Sequence, residues 1–291
     1  MHPAPSVILF TVLSGLGFGY LAYLGLGLAT PTGWLAFFHY GLGYALAVGG
    51  LMASTFHLGN PQRALRAFTQ WRTSWLSREA WASVAALTLL APAALSAWLG
   101  LNPPPLFGVI GAGLCLVTIG CTSMIYAQLA TIPRWNHWST PALFMAFALT
   151  GGAILAGQGI AAMLLGLGLM ALLATSFQLG DQQFAKRGAT LGTATGLGAI
   201  GTPRVFAQPH TADNYLLREM IHVVARKHSR KLRRIALITA ASLPALILIN
   251  PLLPWPLLIA ALIVHLACAF TARWLFFAEA EHVVGLYYGM R

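Results

Sequence analysis

Long apolar runs separated by short turns recur along this chain and restrict it more than any other feature. A helix that crosses a ~30 Å hydrocarbon core needs about 20 consecutive, mostly apolar residues. The sequence offers about eight such stretches, at 6–28, 34–57, 77–99, 106–129, 140–156, 160–178, 235–249 and 255–278. In lipid every backbone N–H and C=O must be satisfied within the chain, so spans of this kind are helices. Charge agrees with this reading: 8% of the 291 residues are charged and 58% are hydrophobic, where an average soluble domain carries roughly a quarter charged residues. So few charges cannot coat a globule of this size, which excludes a soluble enzyme. The expectation is an all-α integral membrane protein. It is one domain, 1–291, a bundle of about eight transmembrane helices with one long basic loop at 179–234. The first run is preceded by no Lys or Arg and is too long for a signal sequence, so it reads as a retained span.

The charges that remain are sorted. There are 17 Lys+Arg against 6 Asp+Glu, a net charge of +11. Such an excess could suggest nucleic acid, but the basic residues sit between apolar runs, which is the pattern of loops facing anionic lipid. The turns Thr30–Gly33, Gly100–Pro105, Gly157–Gly159 and Asn250–Pro254 carry no charge. The alternate connections carry Arg63, Arg66, Arg72 and Arg78, then Arg134, then the basic residues from Lys186 to Arg234, and Arg273 and Arg291 lie near the last end. All Lys and Arg therefore fall on one side. The positive-inside rule puts that side, with both termini, in the cytoplasm of a bacterial inner membrane. The cysteines Cys115, Cys121 and Cys268 lie inside apolar runs and form no CxxC, so no metal or cluster site is expected on this chain.

Within the long loop, Gly196-x-Gly198-x-x-Gly201 is a nominal dinucleotide fingerprint without a preceding strand, and reads as a Gly-rich linker. An amphipathic helix is expected to start near Asp213, with Leu216, Leu217, Met220, Val223 and Val224 on one face, and to run into the seventh span. It would rest on lipid headgroups or dock a soluble partner, with Arg63, Arg66, Arg230 and Arg233 as the partner-facing cations.

Residues able to carry chemistry are few. His57 closes the second span before Gly59 and Pro61, and Glu79 opens the third after Ser77 as N-cap. Each has an ordinary helix-end explanation in the macrodipole. Together they mark the same face of adjacent spans, joined by a loop holding Arg72, Trp71 and Trp75, with Trp81 just beyond. An imidazole, a carboxylate and aromatic walls at headgroup level suit a quinone, whose oxygens need hydrogen-bonding groups and a proton path. The tryptophans also fit an interfacial belt. His39 and His265, inside the second and eighth spans, could ligate a b-type haem or bond helix to helix. Arg273 could pair with Glu279 or Glu281. No catalytic constellation appears, so the hard chemistry is expected on another chain.

His57-Leu-Gly-Asn-Pro61-Gln-Arg-Ala64 followed by Ser77-Arg-Glu79, with Tyr126, Ile132-Pro133-Arg-Trp135 and Trp138-Ser-Thr-Pro141, resembles the membrane anchor subunit of the dimethyl sulfoxide reductase family. Span number and order agree over most of the chain. The resemblance implies an eight-helix anchor without haem of its own, bound to a molybdopterin catalytic subunit and an iron–sulfur subunit, and exchanging electrons with a quinone (ubiquinone or menaquinone). It implies quinone-site roles for His57 and Glu79; Arg72 and Trp75, from the loop between them, are by their place in the chain alone candidates for positioning and walling the ring. The long basic loop is an addition to the reductase pattern, and the quinone-site loop here carries arginines and should face the cytoplasm. The chain thus looks like the anchor of the related cytoplasm-facing sulfite dehydrogenase branch. Two rival readings are a haem-bearing quinol oxidoreductase subunit and a transporter. The second would favour inverted repeats and ionisable groups at the midplane, which the sequence does not display.

Overall fold

The computed structural model describes residues 1–57, 60–101, 105–207, 210, 212, 214–221 and 227–289, with His57 and Pro61 described as backbone only. The helices are α1 (Pro5–Gly25), α2 (Gly33–Ala53), α3 (Trp75–Leu99), α4 (Pro105–Ala127), α5 (Ser139–Leu155), α6 (Gly159–Lys186), the short α7 (Leu191–Thr195), α8 (Ser229–Ile249) and α9 (Trp255–Ala278). No strand occurs among the described residues. Among the described residues, seven helices are long and apolar enough to cross a membrane. The eighth apolar helix, α5, has 17 residues, short of the ~20 that a span exposed to lipid needs. It is enclosed by α1, α4, α6 and α9, so neighbouring helices and not lipid meet most of its length.

The bundle is built around α1, which packs on α2, α4, α5 and α9. Of the α1 apolar window 78% is buried, against 22–50% for the other long spans. Close approach makes this possible. A Cβ on Gly17 would lie 2.3 Å from the Ala47 nitrogen of α2, and one on Gly19 would lie 2.1 Å from the Ala148 oxygen of α5. Small residues let membrane helices gain dispersion contacts where no hydrophobic drive separates helix from lipid. The outward faces stay apolar, with Phe38, Val109, Ile160, Leu164 and Ile263 exposed, as expected of a bundle solvated by acyl chains.

Several boundaries differ from the sequence reading. α2 stops at Ala53, and a 3-10 turn, Ser54–His57, follows. The Ser54 and Thr55 hydroxyls donate to the Leu51 and Met52 carbonyls at 2.6 and 2.7 Å, offering those carbonyls a partner other than the next helical turn. α3 begins at Trp75 with Ser74 at its N-cap position, and Ser77 lies inside the first turn. α6 runs on to Lys186, and α8 begins at Ser229, so the long connection is shorter at both ends than 179–234. The Gly-rich stretch is not a featureless linker: Thr190 and Thr193 form a capping box for α7. Of the amphipathic helix expected from Asp213 onward, the described residues hold one π-helical turn, Leu216–Met220. Asp213 and residues 222–226, with Val223, Val224 and Arg226, lie outside the described residues.

Candidate functional site

The polar groups gather at one end of the bundle. Arg233, in the first turns of α8, donates to both Asp181 carboxylate oxygens, at 2.6 and 2.7 Å, and to Glu279 at 2.5 Å. Arg134, from the α4–α5 connection, reaches Glu279 at 3.3 Å and also pairs with Asp181. One cluster thus joins the ends of α6, α8 and α9 to the α4–α5 connection. Gly180 makes room for it, since a Cβ there would meet the Arg134 guanidinium at 2.5 Å. This corrects two expectations. Arg233 ties the bundle together and is not a free partner-facing cation. Glu279 pairs with Arg134 and Arg233, not with Arg273. Arg63, Arg66 and Arg230 are exposed and stay available to a partner. Also on this face, burial lowers the pKa of His137, with Lys186 adding to the shift. It is therefore neutral near pH 7, its Nδ1 paired with the Ser139 hydroxyl at 2.8 Å.

On the same face the 54–74 connection folds onto the start of α3. Ser77 donates to the Ala67 carbonyl and accepts from the Gln70 amide at 3.1 Å. The Arg78 guanidinium donates to the Trp71 and Arg72 carbonyls at 3.0 and 2.7 Å and stacks on Trp75, 4.3 Å from the ring centroid. Trp81 Nε1 donates to the Phe68 carbonyl at 2.9 Å. Ser77, Arg78 and Trp81 therefore act as a clasp, a role the sequence reading did not give them. Phe56, Leu65 and Trp71 remain 83%, 80% and 56% exposed beside Arg63, Arg66 and Arg72. Such a mixed apolar and cationic surface suits a headgroup layer or a protein partner.

Beneath the clasp, Glu79 is 3% exposed and its carboxylate accepts a hydrogen bond from the Thr122 hydroxyl of α4. Tyr126, one helical turn further along α4, packs on the rings of Phe144 and Phe276. The structure thus places Glu79 inward, against α4, while Arg72 and Trp75 belong to the outer clasp. His57 closes the 3-10 turn, which packs on α1 and α2; its side chain lies outside the described residues. Thr122 is the partner that sequence reasoning missed. Its only signal was a polar side chain one turn after Thr118 on an apolar span, and such hydroxyls commonly satisfy themselves on their own helix.

The intramembrane histidines address different neighbours. His39 bonds through Nδ1 to the Tyr20 hydroxyl of α1. His265 is 2% exposed and packs on α5, where a Cβ at Gly151 would meet its Nε2 at 2.7 Å. A b-type haem needs two imidazoles facing one another across a porphyrin. Here one ring nitrogen is bonded to tyrosine and another is pressed against a helix backbone, so these residues do not fit that group. Arg273 is 4% exposed, and its guanidinium lies 3.4 Å from the Phe144 ring centroid. No metal-binding group of His, Cys, Asp or Glu occurs among the described residues.

Comparison with known proteins extends this geometry. The family model of the DMSO reductase anchor subunit (DmsC) matches residues 1–289. The chain is similar to a subunit of the sulfite dehydrogenase of Allochromatium vinosum, with 32% identity over 99% of each chain. No solved structure matches it.

Proposed function

Because the chain belongs to the DMSO reductase anchor subunit family, whose members associate with catalytic and electron-transfer subunits, we propose that it passes electrons to a membrane quinone from partners docked on its basic face. An iron–sulfur subunit would cover the exposed arginines, and a molybdopterin subunit behind it would oxidise sulfite, the substrate class named for the relative. Molybdopterin and iron–sulfur clusters belong to those partners. By the positive-inside rule, the one-sided Lys and Arg support a basic face and both termini in the cytoplasm, with the anchor in the inner membrane. The quinone, ubiquinone or menaquinone, would sit near the basic ends of α2 and α3.

The observation that carries this reading is Glu79. A carboxyl group 3% exposed at a helix end in a membrane bundle is costly, and such groups mark proton and substrate pathways. Reduction of a quinone consumes two electrons and two protons. Glu79 would supply a proton to one ring oxygen and His57 would hydrogen-bond the other. Arg72 and Trp75, on the clasp, would shape the entrance and not touch the carboxylate. The test uses the whole complex with Glu79→Gln and His57→Ala. Both should assemble and oxidise sulfite with an artificial acceptor, while electron transfer to quinone falls at least ten-fold. Quinone reduction at the parent rate in both variants would move the site elsewhere. The metal content of the purified complex, with molybdenum and iron expected, tests the partners.

A further inference from the structure

Two small cavities lie beyond Thr122, the hydrogen-bond partner of Glu79, and nothing in the quinone site requires them. The first, of about 20 Å³, is bounded by Thr11 and Ser14 of α1, Thr122 of α4, Phe147 of α5, and His265 and Arg273 of α9. The second, of about 40 Å³, shares Phe147 and Arg273, and opens toward Ser139, Thr140, Ser176 and Glu279. Each has room for at least one water. Two of the residues that bound the first cavity carry buried polar groups not satisfied by protein. His265 Nδ1 is buried without a hydrogen-bond partner among the described residues. Arg273, 4% exposed, has no hydrogen bond or carboxylate partner among them, only aromatic faces. Buried polar groups of native proteins are paired, with ordered water where protein does not serve.

The geometry points to a hydrated proton route from the clustered acids on the basic face, through both cavities and Thr122, to Glu79. The inference rests on the quinone reading above and supplies the path that site needs, since Glu79 itself is closed off from solvent. Thr122 is built for relay. Its hydroxyl oxygen reaches the Glu79 carboxyl and lies 3.0 Å from the Thr118 carbonyl, yet it has one hydrogen. It can donate to a Glu79 carboxylate, or donate to Thr118 and accept from a Glu79 carboxylic acid. When the quinone takes two electrons from the iron–sulfur subunit, Glu79 gives its proton to a quinone oxygen and becomes a carboxylate. Thr122 then passes it a proton and takes one from the cavity water. The deficit moves outward past Arg273 to Glu279, and a proton enters from the cytoplasmic solution; a second passage completes the quinol. The Arg273 charge favours transfer in this form, because it stabilises the negative deficit where it would repel an entering hydronium. Thr11 and Ser14 donate to carbonyls of their own helix, which leaves their lone pairs for the water.

Thr122→Val removes the hydroxyl while keeping the shape, and Thr122→Ser keeps the hydroxyl. Thr271→Val, on the outer face of α9 where the hydroxyl bonds only its own helix, is the control. In the intact complex, with assembly measured by metal content, Thr122→Val should slow quinone reduction about ten-fold and enlarge the solvent deuterium isotope effect. Thr122→Ser and Thr271→Val should keep the parent values. If Thr122→Val does not assemble, Thr122→Ala is measured against Thr122→Ser in the same way. Should Glu79→Gln slow the reaction while Thr122→Val and Thr122→Ala run at the parent rate, the route is wrong and the quinone site stands. Should Glu79→Gln itself run at the parent rate, the quinone reading fails and the route fails with it.

Discussion

Gly19 shows how tightly single positions set this bundle. Its α-carbon faces the Ala148 carbonyl, and an added Cβ would stand 2.1 Å from that oxygen, whereas Gly15, one turn earlier, has nothing within 4 Å. Gly19→Ala must push α1 from α5, costing about 3 kcal/mol, the upper range for an overpacked core. Gly15→Ala should be near neutral or slightly stabilising, because alanine is the better helix former. Thermal unfolding of the detergent-purified anchor would check the pair; equal melting temperatures would mean that the two helices are not in backbone contact. Glu79 could be picked from the sequence because a carboxylate beside an apolar run is rare. Thr122 and Arg273 could not be assigned their settings, since a hydroxyl on an apolar helix is usually self-satisfied, and an arginine near a helix end has acids within reach in sequence that it need not meet in space.

The ion cluster joins elements far apart in the chain, with Arg134 on the α4–α5 connection and Asp181, Arg233 and Glu279 at the ends of α6, α8 and α9. Glu279 is 6% exposed, so Glu279→Gln leaves two arginines without a buried counter-charge and should cost about 3 kcal/mol. Asp181 is 48% exposed, and Asp181→Asn should cost about 1 kcal/mol or less, because water screens and replaces it. Melting of the anchor alone reads both, and a larger loss at Asp181 would contradict this ordering. The same distinction separates two arginines that look equivalent in sequence. Arg233→Glu should lower the stability of the anchor itself. Arg230→Glu should leave melting unchanged and release the partner subunits on purification, or, if assembly persists, assign that surface to lipid headgroups. The helices themselves were legible, because their apolar length is a direct consequence of bilayer thickness. Their ends were less so: Ser54 and Thr55 divert carbonyls near His57, and the Asp181 pairing lets α6 continue beyond its apolar part. Neither interaction has a periodic signal in sequence.

At the scale of the whole molecule, sidedness decides which partners are possible. The positive-inside rule rests on Lys and Arg near helix ends in short connections, and here all of the 17 except Arg273, which lies inside α9, fall on alternate connections, in the helix turns that border them or beyond the last span. The structure gathers several of them at one end, since the Arg134, Asp181, Arg233 and Glu279 cluster requires the ends of α6 and α9, the start of α8 and the α4–α5 connection to share a face. Orientation is therefore one choice for the entire bundle: if Gly198 in the long connection faces the cytoplasm, so do the clasp over Glu79 and the exposed Arg63 and Arg66, and Gly157 in the α5–α6 turn faces the periplasm. Reporter fusions ending at Gly198 and Gly157 should give opposite signals, with the cytoplasmic one at Gly198. Protons for quinone reduction would then be drawn from the same side as the electrons, so no charge crosses the bundle and turnover in sealed vesicles should build up no membrane potential. The reverse fusion pattern would put the basic face in the periplasm, where a cytoplasmic sulfite-oxidising module could not reach it, and would remove that assignment while leaving membership of the anchor family intact.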